Sequence, residues 1–164
     1  MKKTSVVLCF AMISFVFAGG DKSGSLSPVT KMQMPEKACQ VSKVYVDHEA
    51  KLMWQDQPYT DAEDGGFKQG YSVGKVGTHS HAIQYCRTLN YGGYGDWRVP
   101  TADELMQVHA PQHNPFTYHR GADFWTSTPA VANKYYVVFP ADAMQYQRTA
   151  DESNYVRCVR CLDK

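Results

Sequence analysis

The sequence predicts an exported α+β domain, and three observations lead to that prediction. The N-terminus has the pattern of a secretory leader, four cysteines follow it, and two helical patterns lie among several short strand patterns. Without an 18-residue leader, the chain of 164 residues keeps a length that fits one domain. We see no internal repeat.

The first 18 residues have the three parts of a signal peptide. Lys2 and Lys3 are basic, residues 6–18 are apolar apart from Ser14, and small residues stand at Val16 and Ala18. The apolar run is shorter than the ~20 residues of a membrane-spanning helix, so an uncleaved anchor is the weaker alternative. We therefore predict a signal peptide at 1–18, a flexible tether at 19–38 and a folded domain at 39–164.

Charge and hydropathy exclude several classes of partner. Without the two leader lysines, the chain carries 15 basic and 16 acidic residues. Such a neutral balance does not predict nucleic-acid binding, and no polybasic cluster predicts attachment to anionic lipid. No second apolar run is long enough to predict membrane insertion after the leader is cleaved.

Four cysteines remain once the cysteine inside the leader is removed, namely Cys39, Cys86, Cys158 and Cys161. An even number in an exported chain predicts two disulfides, although four cysteines allow three pairings. A zinc site is the weaker alternative, because only Cys158 and Cys161 are close in sequence. We favour Cys86–Cys158, with both side chains expected to point inward, and Cys39–Cys161, which would join the two ends of the domain.

The first half of the domain begins with a predicted hairpin formed by residues 44–46 and 52–54. Residues 61–77 contain five glycines among polar and aromatic residues, which indicates a long loop or a small irregular hairpin. Thr78 can cap a helix to about Leu89, whose buried stripe would include Ala82, Tyr85 and Cys86.

The second half begins with a tight glycine-rich turn at residues 90–95. Thr101 and Glu104 then form a capping-box pattern that starts a second helix, and Pro111 ends it. The remaining strand patterns are residues 124–126, 135–139, 144–148 and 155–160.

Several motifs occur in the order typical of one family. They are Leu-Met-Trp-Gln-Asp at 52–56, Ala-Ile-Gln-Tyr-Cys at 82–86, Gly-Gly-Tyr-Gly-Asp-Trp-Arg-Val-Pro-Thr at 92–101, Glu-Leu at 104–105, Phe-Trp-Thr-Ser-Thr at 124–128 and Tyr-Val-Arg-Cys-Val-Arg at 155–160. Together they resemble the Lcl C-terminal domain family over residues 44–161.

The resemblance implies a C-type-lectin-like fold, related to that of formylglycine-generating enzymes. Proteins of that family are mostly uncharacterised and exported, and attachment to polysaccharides or other surface ligands is described for some of them. The sequence departs from the family pattern at Val99, in the long stretch 65–77, and in the extra cysteines Cys39 and Cys161. Because loops set specificity, the long stretch leaves the ligand open.

The Asp96-Trp97-Arg98 block predicts a structural brace at the entry to the second helix. Trp97 is expected in the core, with the two charged groups bonded to backbone or to each other. An active-site role is the alternative.

We predict no metal and no cofactor. His79 and His81 are expected to diverge on their helix, and Pro111 separates His109 from His113. The acidic group Asp61, Glu63 and Asp64 has too few oxygen ligands for calcium and is expected to be a solvated loop.

Aromatic residues make up 13% of the chain, and several of them lie in polar segments. We predict that Phe67, Tyr71 and Tyr118 contact a ligand, together with Arg120. No catalytic constellation can be assembled from the sequence. The prediction is therefore a periplasmic, cell-surface or secreted module that binds a glycan or an envelope protein. The alternatives are a structural or accessory subunit of an envelope or secretion assembly, and an extracytoplasmic enzyme of unknown reaction.

Overall fold

A computed structural model describes residues 42–110 and 114–163. The predicted signal peptide and nearly all of the chain before the first strand lie outside the described residues. In order, the elements are β1 (Val44–Asp47), β2 (Leu52–Gln55), α1 (Asp61–Gln69), β3 (Val76–Gly77), α2 (His79–Thr88), α3 (Ala102–His109), β4 (Phe124–Pro129), β5 (Lys134–Phe139), β6 (Met144–Thr149), β7 (Asn154–Tyr155) and β8 (Val159–Cys161). The fold is α+β, as predicted.

The smaller sheet joins the start of the domain to its end. β1 and β2 form the predicted antiparallel hairpin, and β8 pairs with the other side of β2. The Asp47 carboxylate accepts hydrogen bonds from the backbone N–H groups of Glu49 and Ala50, which fixes the turn between β1 and β2. Every residue of β2 is buried, because the strand lies in the middle of this sheet.

The prediction of a loop or hairpin at residues 61–77 is wrong, because residues 61–69 form helix α1. Thr60 and Glu63 make a capping box: each side chain bonds the other residue's backbone N–H. Gly66, which argued for a loop, instead permits close packing. A Cβ atom added there would lie 2.7 Å from the Val73 side chain. Gly70 ends the helix in the left-handed conformation, at φ 76°.

Both helices predicted from capping signals are present. Thr78 caps α2, and Thr101 forms a capping box with Glu104 at the start of α3. The predicted stripe of α2 faces the core, with Ala82 and Cys86 fully buried.

The larger sheet contains five strands in the order β3-β7-β4-β5-β6. β4, β5 and β6 form an antiparallel meander, whereas β7 lies parallel to β4 on its other side. The predicted strand at 155–160 is divided between the two sheets, since Tyr155 belongs to β7 and Val159 to β8. Val156 and Cys158 lie between these strands and are buried.

The predicted Cys86–Cys158 disulfide is present and joins α2 to the segment between the two sheets. It lies in a core cluster that also contains Trp97, Trp125 and Val156. A second cluster surrounds Trp54, Leu105, Phe124 and Val138. Cys161 is half-buried and makes no disulfide with another described cysteine. Cys39 lies outside the described residues, so the Cys39–Cys161 bridge stays a prediction. Within the described ranges, no helix is long and apolar enough to cross a membrane.

Candidate functional site

A polar cleft of about 440 Å³ opens beside the end of β2. We call it the polar cleft; its lining residues are Ser42, Lys43, Asp56, Gln57, Pro58, Thr60, Lys75, Tyr91 and Tyr118. These residues come from five separate parts of the sequence, so the cleft exists only in the folded chain.

Asp56 connects the cleft to the loop that carries Tyr118. Its buried carboxylate accepts hydrogen bonds from the backbone N–H groups of Thr117, at 3.0 Å, and Tyr118, at 2.9 Å. The Arg157 guanidinium lies 3.8 Å from the same carboxylate and donates to the carbonyls of Gln55 and Tyr118. These bonds hold the backbone of Tyr118 on two sides, at its N–H and at its carbonyl.

Glu63 and Lys75 form an ion pair beneath another part of the cleft. Both residues are 4% exposed, and the Lys75 ammonium donates to Glu63 Oε1 at 2.9 Å. The same oxygen accepts from the Lys75 backbone N–H at 2.7 Å, and the other carboxylate oxygen accepts from the Thr60 N–H at 2.8 Å. Glu63 therefore positions both Thr60 and Lys75 in the lining.

Tyr59 contacts the Lys75 ammonium of this pair, and Tyr91 lines the cleft. Tyr59 lies between two cations, with its ring centre 5.1 Å from Lys75 Nζ and 5.0 Å from Arg120 Cζ. Burial raises the pKa of Tyr59 to about 12, so its hydroxyl stays protonated at neutral pH. Burial likewise raises the pKa of Tyr91, whose hydroxyl donates to the Lys43 carbonyl at 2.7 Å.

A second, smaller cleft of about 250 Å³ lies along α1. We call it the α1 cleft; its lining includes Asp64, Phe67, Lys68, Arg120 and Tyr155. Arg120 binds both carboxylate oxygens of Asp64 at 2.9 Å, and Tyr155 donates to Asp64 at 2.7 Å. The hydrogen bond from Arg120 holds the pKa of Asp64 below its usual value.

The four predicted ligand residues therefore lie in different places. Phe67 and Arg120 share the α1 cleft, whereas Tyr118 lines the polar cleft. Phe67 does not project from a loop: it lies on α1, half-buried, with its ring centre 4.8 Å from that of Tyr155. Tyr71 lines neither cleft. It is 45% exposed and rests against α1, with its hydroxyl 3.5 Å from the Ala62 carbonyl.

Asp56 and Lys75 line the polar cleft but were not predicted from the sequence as site residues. Asp56 ends the first family motif, directly after a buried strand, and that position was a usable signal. Lys75 gave no such signal, since its burial depends on the helix that the sequence did not reveal. The acidic residues expected in a solvated loop also have specific partners, Lys75 for Glu63 and Arg120 for Asp64.

The Asp96-Trp97-Arg98 block braces the fold, but its charged groups do not bond each other. The buried Trp97 indole donates to the carbonyls of Tyr91 and Tyr94. Asp96 pairs with Arg160 at 2.6 Å. Arg98 binds both carboxylate oxygens of Glu104, at 2.6 and 2.7 Å, and so ties the block to the start of α3.

Two histidine rings bond to backbone carbonyls, whereas the buried Nε2 of His109 has no hydrogen-bond partner within the described residues. His79 is buried, donates to the Thr126 carbonyl at 2.9 Å and stacks on Tyr135. His81 donates to the Gly74 carbonyl at 2.8 Å. Burial, with the nearby positive charge of Arg157, lowers the pKa of His109 to about 4. His113 lies outside the described residues, and the described ones contain no group of three metal-ligating side chains.

The fold is similar to part of the adhesin InvE from Yersinia pseudotuberculosis, with a TM-score of 0.50 and 15% sequence identity. That similarity covers 74% of this chain and 34% of InvE, so the chain spans about a third of the adhesin's length. No curated protein matches the chain significantly by sequence. Residues 43–160 match the Lcl C-terminal domain family, and the chain therefore belongs to that family.

Proposed function

We propose that this chain is an exported binding module that recognises a surface glycan through the polar cleft, on a C-type-lectin-like scaffold. The observation that supports this most is the cleft itself. It is open, its lining residues are mostly polar, and the backbone of Tyr118 is held by the buried Asp56–Arg157 pair. Its size falls within the range of about 300–1,000 Å³ that is usual for small-ligand pockets.

The chemistry of the lining suits a sugar. Sugar rings bind by stacking on aromatic faces and by hydrogen bonds to planar polar groups. Tyr118 offers a ring whose hydroxyl makes no hydrogen bond within the described part of the chain. Gln57 accepts from the Gln55 amide at 2.9 Å, which leaves its own amide N–H groups available as donors. The buried charges of Glu63 and Asp56 are already paired, so the ligand need not supply a counter-charge.

The same arrangement argues for binding over catalysis. Among the described residues, the polar-cleft lining contains no histidine or cysteine, and burial raises the pKa of Tyr91, which makes it a poor base and nucleophile. We propose that the protein is not an enzyme. The competing function is that of an uncharacterised extracytoplasmic enzyme. Turnover of a bound glycan would establish that function.

We also propose that the chain is exported. The basic and apolar order of the first 18 residues and the Cys86–Cys158 disulfide both fit a protein that matures in an oxidising compartment. N-terminal sequencing of the exported protein should give a chain that starts at Gly19. Recovery of the uncleaved chain in membranes would instead make the segment an anchor.

A glycan array, run beside a pull-down from envelope extract, tests the ligand class. Glycan binding supports the proposal. Capture of an envelope protein without any glycan signal would favour a protein ligand, or a structural or accessory role in an envelope or secretion assembly.

Single substitutions then locate the site. Tyr118→Ala should weaken glycan binding about 10- to 100-fold, the effect of removing a central aromatic contact. The backbone bonds to Asp56 and Arg157 remain, so stability should change little. Tyr118→Phe is the matched control and should retain binding, because it keeps the ring. Phe67→Ala, Tyr71→Ala and Arg120→Ala test whether the α1 cleft or Tyr71 contributes. Unchanged binding in Tyr118→Ala would place the site elsewhere.

A further inference from the structure

The outer edge of β6 has no strand partner among the described residues. β6 ends the five-stranded sheet, and within the described ranges it pairs with β5 alone. Its first four residues are exposed, including Met144 at 56% and Tyr146 at 41%. Proteins usually protect such edges with lysine, proline or a bulge. The segment Met-Gln-Tyr-Gln at 144–147 has none of these and carries no charge.

The pairing with β5 shows which backbone groups face outward. Ala150 N–H donates to the Asn133 carbonyl at 2.9 Å, just beyond the end of β6. Hydrogen-bonded positions alternate along an antiparallel pair, so the even-numbered residues of β6 bond to β5. The odd-numbered residues direct their N–H and C=O groups away from the sheet.

Only two of the outward residues are open. The Thr149 N–H is taken up by the Glu152 carboxylate at 3.0 Å, which closes one end of the edge. Gln145 and Gln147 remain, with two outward N–H groups and two outward carbonyls between them. The Gln147 carbonyl accepts a long hydrogen bond of 3.5 Å from Arg148 Nη1 and keeps a second lone pair for a partner strand. These four groups are spaced for one short antiparallel strand.

We propose that two copies of the chain associate through β6, in antiparallel register about a two-fold axis at Tyr146. In this register Gln145 lies opposite Gln147 of the second copy, and the two such pairs complete four N–H···O=C bonds. Tyr146 lies beside the same residue of the second copy, where aromatic side chains stabilise strand pairing. Arg148 lies opposite Met144, so no like charges meet. The segment is therefore complementary to itself in hydrogen bonding, and the pairing brings no like charges together.

The test is the molecular mass of the purified exported protein in solution. So short an interface gives weak association, and the measurement must extend to about 1 mM protein. Sedimentation equilibrium should show the average mass rising with concentration towards twice that of the monomer.

Two double variants test the register. Gln145→Lys with Gln147→Lys places lysine opposite lysine in both pairs, and it should raise the dissociation constant about tenfold or more. Gln145→Lys with Gln147→Glu is the matched control, because it places lysine opposite glutamate and should retain association.

Each possible result either supports the proposed dimer or overturns it. A dimer that is lost in the first variant and kept in the second supports the proposal. A wild-type chain that stays monomeric overturns it and leaves the edge to a strand of another protein. Association that persists in both variants, or is lost in both, also overturns it, since the interface or its register would then be different.

Discussion

Glu63→Gln is the substitution that most directly tests the frame beneath the polar cleft. The change keeps the size of the side chain but removes its charge. The buried Lys75 ammonium then has no counter-charge at 2.9 Å. A glutamine amide also presents a donor where the carboxylate accepted, so either Lys75 or the Thr60 N–H faces a donor instead of an acceptor.

The magnitude follows from burial. Both side chains of the pair are about 5% exposed, and removing one partner of a pair buried to this degree costs about 3–5 kcal/mol. With a urea dependence of about 2 kcal/mol per molar, the unfolding midpoint should fall by about 1.5–2.5 M. The double variant Glu63→Gln with Lys75→Met removes both charges. Its free energy of unfolding should fall by less than the sum of the falls in the two single variants.

Urea unfolding of these variants is the assay, with Asp61→Asn as the control. Asp61 lies in the same first turn of α1 but is exposed, so its charge contributes only about 0.3–1 kcal/mol to the helix N-terminus. If Glu63→Gln lowers the free energy of unfolding no more than Asp61→Asn does, the structural role of the buried pair is refuted.

Three further predictions concern stability. Arg98→Ala should lower the free energy of unfolding by about 1–2 kcal/mol, because it removes two charge-assisted hydrogen bonds; an unchanged melting temperature would contradict this. Asp64 has a pKa below the ordinary 3.8 because Arg120 donates to it, so its contribution is complete above pH 3.8 and is lost as the pH falls further. In Asp64→Asn, the urea midpoint of unfolding should therefore fall less steeply with decreasing pH than it does in the wild-type chain. Reducing Cys86–Cys158 should cost about 4 kcal/mol, since it opens a loop of 72 residues; a Cys158–Cys161 linkage in unreduced peptide maps would contradict the pairing.

Elements with local signals were predictable from the sequence. Thr78 and Thr101 marked the starts of two helices, because a capping hydroxyl acts on backbone groups only three residues away. The hairpin of β1 and β2 followed from apolar runs around a polar turn. The Cys86–Cys158 bridge followed from two positions that both had to face the core.

Helix α1 was missed although its start carries the same kind of signal. Thr60 and Glu63 form a capping box, but the glycines at 65 and 66 lower helix propensity, and the pattern alone favoured a loop. The helix is stabilised by tertiary contacts, above all by the close packing that Gly66 permits and by the ion pair to Lys75.

The candidate site was predictable only in part, for a similar reason. Tyr118 was identified as an aromatic residue in a polar segment. Asp56 and Lys75 line the same cleft as Tyr118, although they are 62 and 43 residues away from it in the sequence. No local sequence pattern predicts that these residues lie close together. The partner of Arg98 was missed because the capping box turns the Glu104 carboxylate back towards the preceding segment, where one oxygen accepts from both Thr101 and Arg98.

Amide chemical-shift mapping shows directly whether the polar cleft binds the ligand. A saccharide identified on the array is titrated into the isotopically labelled protein. The largest shifts should fall on residues that line the cleft, namely Gln57, Thr60, Lys75, Tyr91 and Tyr118. Shifts confined to other surfaces, with these amides unchanged at saturation, would mean that the ligand binds outside the polar cleft.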